Sequence, residues 1–307
     1  PRPLPHPDAR LMSWLQLRLD TSPDQVETLE ALMLASGAVA VTMEDNADQP
    51  VLEPGVGETP LWGHTRLTGL YPADTPMAEV LATFPGDLLQ TANQRVEILE
   101  DKDWEREWMQ HYSPMAFGNR LWVCPSWLEP PDPSAVNLLL DPGLAFGTGT
   151  HPTTALCLGE LDGMALDDYR LVDYGCGSGI LAVAALKLGA DRALGVDNDP
   201  QALVATADNA QRNGIPAEQL EVALPGAYNQ ADWSGAADLV IANILAGPLA
   251  ELAETLLGLL KPGGTLMLSG LLSSQADALC AHYAGRISLQ VAGEHDGWVC
   301  LRGTAPS

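Results

Sequence analysis

Lysine is nearly absent from this chain: Lys102, Lys187 and Lys261 are the only three in 307 residues. With arginine included there are 15 basic side chains against 40 acidic ones, a formal charge of −25 and a pI near 4.3. So few cations disfavour direct binding to nucleic acid, because phosphate contacts are made by displacing counterions with basic groups. A basic protein would be attracted instead, although solubility or a salty habitat accounts for most of such a charge. Cysteine is also sparse: Cys124, Cys157, Cys176, Cys280 and Cys300 are odd in number and form no C-x-x-C pair. Neither a disulfide framework nor a zinc site is expected, and a reducing compartment follows. No apolar run reaches membrane-spanning length, and the start, P-R-P-L-P-H-P-D-A-R, has no signal-like core. These absences together predict a cytoplasmic protein with no metal and no membrane partner.

What is present is enough hydrophobic material, 46% of residues, for packed cores in about two domains of roughly 150 residues each. Residues 1–10 read as a proline-rich tail. From there to residue 100 the order is βαββαβ: alternating Leu15, Leu17 and Leu19, then a helix opened by Ser22-Pro23 and closed at Gly37, then strands near 38–43, 65–71 and 94–99 around a short helix near 77–84. That order predicts a small ferredoxin-like α+β domain. Residues 101–135 read as a linker, with Trp104, Trp108 and Met109 on one face of a helix, followed by a connecting segment. Strand then alternates with helix from about 136 to 307, ending in two strands separated only by a short turn. The expectation is a doubly wound, mostly parallel sheet with an antiparallel last strand.

The centre of that second region is Leu171–Gly179, L-V-D-Y-G-C-G-S-G. A strand runs into a glycine turn and then into a helix, the layout that holds a nucleotide-like ligand at a sheet's carboxyl edge. The dinucleotide pattern G-x-G-x-x-G would need glycine at Ile180, so a dehydrogenase is disfavoured. The observed D-x-G-x-G-x-G resembles the first motif of S-adenosylmethionine-dependent methyltransferases. Gly175 and Gly177 would let backbone approach the ligand, and Asp173 would face its ammonium directly or through water. Asp197 ends the next strand and is placed to accept hydrogen bonds from ribose hydroxyls. Asp199 competes for that role, but Pro200 marks it as a helix cap.

Two further stretches flank this turn. D-P-G-L-A-F-G-T-G-T-H-P-T-T, Asp141–Thr154, holds three glycines and four threonines and reads as a ligand-covering loop. Its last residue, Thr154, is placed to cap a helix over 155–161 and could also touch the ligand. His151 is a candidate proton relay, or else structural. I-A-N-I-L-A-G-P ends a strand at Asn243. An amide there can accept from an amine without holding it charged, as a carboxylate would, so Asn243 is the candidate catalytic residue for methyl transfer to nitrogen.

The stretches from Leu140, Asp173 and Ile241 together resemble the bacterial ribosomal protein L11 methyltransferase family (PrmA), closely from about Leu138 onward. The resemblance implies a class I methyltransferase-like domain using S-adenosyl-L-methionine, without a metal. It implies methylation, to the trimethyl stage, of the N-terminal α-amine and lysine side chains of ribosomal protein L11, presented by the small N-terminal domain. Thr154, Gly175, Asp197 and Asn243 match the family's ligand-binding positions. Another protein, RNA or small-molecule methyltransferase of the same fold, or a module that binds the donor without catalysis, are the alternatives.

Overall fold

The computed structural model describes residues 14–46, 63–99, 112–141 and 149–307. The tail, most of the acidic Pro/Gly loop after Glu44, the linker helix read at 101–112 up to residue 111, and residues 142–148 of the Gly/Thr loop lie outside the described residues. The chain divides into two compact units, Pro1–Met109 and Gln110–Ser307, so the strands that follow the linker helix fall in the second.

In the first unit β1 (Trp14–Thr21) is followed by α1 (Pro23–Ala35), β2 (Ala40–Asp45), β3 (Thr65–Pro72), α2 (Met77–Ala82), α3 (Gly86–Thr91) and β4 (Arg95–Leu99). The strands pair antiparallel in the order β2-β3-β1-β4. Alternation along β1 sends Leu17 and Leu19 into a core with Val26, Leu29 and Met33 of α1 and Leu67 and Tyr71 of β3. The helix starts where expected, yet Ser22 makes no side-chain cap. Gln25, three residues on, is engaged instead by the Thr21 hydroxyl, at 3.0 Å. The short α3 was not foreseen.

The second unit opens with a small sheet, β5 (Met115–Phe117), β6 (Leu121–Cys124) and β7 (Val136–Leu139). The chain continues through α4 (Pro152–Asp162), β8 (Arg170–Tyr174), α5 (Ile180–Lys187), β9 (Arg192–Val196), α6 (Pro200–Arg212), β10 (Leu220–Ala223), α7 (Gln230–Trp233), β11 (Ala237–Asn243), α8 (Ala246–Glu251), α9 (Ala253–Leu259), β12 (Leu260–Leu272), α10 (Ser273–Tyr283), β13 (Gln290–His295) and β14 (Trp298–Thr304). Seven strands form one sheet in the order β10-β9-β8-β11-β12-β14-β13. β10, β9, β8, β11 and β12 run parallel, while β14 lies antiparallel between β12 and β13. This is the doubly wound α/β sheet with an antiparallel last strand that the pattern of elements predicts.

Each sheet face has its own apolar layer. On one side Leu171, Ala193, Leu239 and Ile241 meet α4, α5 and Ala210 of α6. On the other, Val172, Leu194, Val196, Val240 and Leu266 meet α8, α9 and α10. Adjacent strand residues point to opposite layers, as a sheet covered on both faces requires. The helical stretch between β11 and β12 is broken at Leu252 into α8 and α9, and both pieces bury apolar side chains.

Candidate functional site

Three strand ends and one helix start meet at the carboxyl edge of the seven-stranded sheet. The glycine turn after β8 is stitched to β9: Gly175 and Cys176 N–H groups both donate to the Val196 carbonyl, at 2.6 and 3.0 Å. Gly175 has φ +81°, and a Cβ there would sit 2.3 Å from Ile244 Cγ2. Gly179 has φ +76°, and its Cβ would strike Thr206 of α6 at 2.6 Å. Both positions therefore exclude a side chain on backbone and packing grounds together. Gly177, φ +54°, presents its N–H to the neighbouring strand end.

That neighbour is Asp197. Its Oδ2 accepts from Gly177 N at 2.9 Å and its Oδ1 from Asp199 N at 3.0 Å. Two backbone donors fix the carboxylate's plane, and the remaining lone pairs are free in number for two further donors. Asp199 caps α6, accepting from Gln201 N at 2.8 Å, as Pro200 suggested. Two residues that carried no sequence signal complete the turn. Thr206 Oγ1 donates to the Gly177 carbonyl at 3.0 Å, and Asn209 Nδ2 to the Ser178 carbonyl at 2.8 Å. Polar residues on a helix surface look alike in sequence whether or not they hold a loop.

Asp173, the last but one residue of β8, is only 1% exposed. Its Oδ2 accepts from the Ala182 N–H in the first turn of α5, at 3.1 Å. Burial pushes its pKa up to about 7, the Ala182 hydrogen bond opposes this, and the Asp197 charge adds to it. Cys176 in the same turn is pushed up to about 12, chiefly by burial, so its sulfur is a thiol and not a nucleophile.

Asn243 ends β11, paired in register with Ser269 of β12. The Ile244 N–H donates to the Ser269 carbonyl at 3.1 Å, so one more bond ties the chain to β12 before it bends at Ile244. Its Nδ2 donates to Thr154 Oγ1 at 3.3 Å. Its Oδ1 is buried and finds no donor among the described residues. Leaving a buried acceptor unpaired costs about 1–3 kcal/mol, so this edge of the sheet holds an acceptor in wait for a donor.

Thr154 is placed differently from expectation. α4 starts at Pro152, three residues early, and its N-cap is His151, whose ring Nδ1 accepts from Thr153 N at 3.3 Å. Thr154 is therefore a buried residue of the first turn and not the cap. The sequence could not show this, because serine or threonine is the commoner cap and histidine gives no such signal. The His151 ring stands edge-on to Trp298, centroids 4.9 Å apart, and burial lowers its pKa.

The structure thus brings Asp173, Gly175, Gly177, Asp197, Asn243 and Thr154 to one sheet edge. Among the described residues no three His, Cys, Asp or Glu side chains are arranged to hold a metal ion. No described helix is long and apolar enough to cross a membrane.

Comparison with known proteins bears on what this edge serves. The family model described as ribosomal protein L11 methyltransferase (PrmA) matches residues 13–306. A ribosomal protein L11 methyltransferase from Pectobacterium atrosepticum is 55% identical over 294 residues, covering 95% of this chain and 98% of its own. One from Pseudomonas aeruginosa is 53% identical over 296 residues, with coverage of 95% and 98%. A crystal structure of a ribosomal protein L11 methylase from Lactobacillus delbrueckii subsp. bulgaricus superposes with a TM-score of 0.56 at 31% identity, covering 64% of this chain and all of that one.

Proposed function

The chain belongs to the ribosomal protein L11 methyltransferase family, and from that premise we propose that it transfers methyl groups from S-adenosyl-L-methionine to amines of ribosomal protein L11. The acceptors are the N-terminal α-amine and lysine side chains, carried to the trimethyl stage. The observation that carries this reading is the buried, unpaired Oδ1 of Asn243, held by Thr154 at the end of β11.

The residues present fit the donor. Gly175 and Gly177 let the chain turn beneath it without a Cβ, and Asp197, its carboxylate already fixed by two N–H groups, would receive the ribose hydroxyls. Asp173 would lie on the side of the ammonium. When bound, S-adenosylmethionine supplies a methyl group on a sulfonium, open to in-line attack by a lone pair. The protein's task is then to present an amine that has one. A free lysine amine, with pKa about 10.4, is neutral only about once in a few thousand molecules at pH 7. A carboxylate at position 243 would deepen that deficit. The Asn243 carbonyl accepts an amine N–H without favouring the charged form, and Ile244 and Leu245 supply an apolar flank. As the new N–C bond forms, the methyl leaves the sulfur with the S–C electron pair remaining there; in the first two transfers the amine gives its surplus proton to water, while the tertiary amine of the third has no N–H for Asn243 to accept and ends as a fixed cation with no proton to lose.

The first unit would present the protein substrate, with residues 101–135 as the link and the charge of −25 favouring a basic partner without direct nucleic-acid contact. The cytoplasm is the matching location. Incubating the full chain with labelled S-adenosylmethionine and unmethylated ribosomal proteins, followed by mass analysis, tests the reading. Label on L11 amines is expected. Label on ribosomal RNA or on another protein, with none on L11, would overturn it.

A further inference from the structure

His151 caps α4 and stands two residues before Thr153 in the Gly/Thr stretch. Its backbone is extended, φ −73° and ψ 136°, and it occupies the N-cap position of α4 with Pro152 next. The ring Nδ1 lies 3.3 Å from the Thr153 N–H that donates to it and 2.7 Å from Thr153 Oγ1. Accepting at Nδ1 places the ring proton on Nε2, so the capping imidazole is neutral. Trp298 of β14 stands edge-on against the ring and limits its rotation. The His151 carbonyl accepts from Ala155 N at 3.0 Å, closing the first helical turn. Thr153 and Thr154 inside that turn are each 1% exposed. Thr154 Oγ1 in turn takes the Asn243 amide nitrogen.

We propose that His151 is a positioning residue for methyl transfer, acting through Thr154 on Asn243. Its ring fixes the first turn of α4, the turn fixes Thr154 Oγ1, and that hydroxyl decides which end of the Asn243 amide faces the acceptor. With the nitrogen engaged, Oδ1 is the end presented to the incoming amine. Without the cap, the first turn frays, Thr154 loses its set position, and the amide turns freely between a productive orientation and its inverse. His151 on this reading touches neither donor nor amine and moves no proton. The proposal rests on the amine-methylation reading above.

The test uses the full chain, with kcat and KM for L11 and the donor dissociation constant measured separately. Asparagine is a good N-cap through its side-chain oxygen and alanine is a poor one, with a cap worth roughly tenfold in the helical equilibrium. His151→Ala is therefore expected to lower kcat by about tenfold, with KM for L11 within about threefold and a loss of donor affinity smaller than the loss of kcat. His151→Asn should restore kcat to within about threefold of the parent. In a His151→Ala/Thr154→Val double variant, kcat should fall no further than in Thr154→Val alone, because both act through one link. Undiminished kcat in His151→Ala, no rescue by asparagine, or losses that multiply in the double variant each overturn the proposal. Failure to rescue would mean that the ring itself does chemistry. If His151→Ala does not fold, His151→Asn decides alone: near-parent kcat supports the cap, and a loss of about tenfold or more refutes it. A parent protein that methylates no L11 amine would instead defeat the underlying reading, a different outcome from any of these.

Discussion

Asp173→Asn separates the ligand's needs from the fold's. The carboxyl is buried, and its pKa is raised from 3.8 to about 7 with burial as the leading cause. A raised folded-state pKa means that the fold prefers the neutral acid. Below about pH 4 the group is protonated in both states and costs nothing. As pH rises through 4 the unfolded chain releases its proton first, so stability falls until about pH 7, where the folded protein ionises too. The shift of about 3 units corresponds to about 4 kcal/mol lost by pH 8. Asparagine does not titrate, and its carbonyl can still accept from Ala182 N. The variant should therefore match the parent near pH 4 and exceed it by up to about 4 kcal/mol at pH 8. Two units need not unfold together, so the appropriate assay is hydrogen exchange read at β8 and α5 across that range, without donor. The same substitution should weaken S-adenosylmethionine binding by about tenfold or more, through loss of the charge beside the ammonium. An unchanged stability difference between pH 4 and 8 would refute the argument that Asp173 is held at a cost to the fold.

Two other substitutions probe the donor cradle. Asp197→Ala removes the acceptor that the Gly177 and Asp199 N–H groups hold in place; calorimetric titration should show donor affinity reduced by about 1.5–3 kcal/mol, the worth of hydrogen bonds to a charged group. An unchanged dissociation constant would assign the ribose elsewhere. Gly175→Ala forces a left-handed φ of +81° on alanine and a 2.3 Å approach to Ile244 Cγ2. A loss of about 1–3 kcal/mol in stability is expected, with donor binding weakened as Ile244 shifts, and a parent-like melting curve would count against it.

Much of this was legible in the chain because local chemistry and global fold agree. The strand at Arg192–Val196, the capping Asp199-Pro200 and the antiparallel ending are each written by turn residues and periodicity that no tertiary contact overrides. Strand ends also locate Asp197 and Asn243, since a carboxyl edge is where such a sheet binds. Less legible was anything settled between elements. Asn213, the residue just past the end of α6, exchanges hydrogen bonds with both backbone groups of Leu139 at 2.7 Å and so acts as a mock strand partner for β7. The break at Leu252 and the capping of α4 by His151 are decided by packing and by a ring nitrogen, which sequence patterns do not record. Asp173 was read as a ligand group; its bond to Ala182 N also makes it a fixture of the α5 start, a double duty visible only in three dimensions.

On the proposed reading Asn243 accepts the N–H of the amine at the reacting centre. The most direct measurement is the single-turnover rate of methyl transfer to L11 by Asn243→Ala, with donor affinity determined on the same preparation. Loss of an oriented group at the reacting centre is expected to slow transfer by about 100-fold or more, while the donor remains bound within about tenfold of parent affinity, because Gly175, Gly177 and Asp197 stay in place. A transfer rate within about threefold of the parent would contradict the claim and remove Asn243 from the reaction.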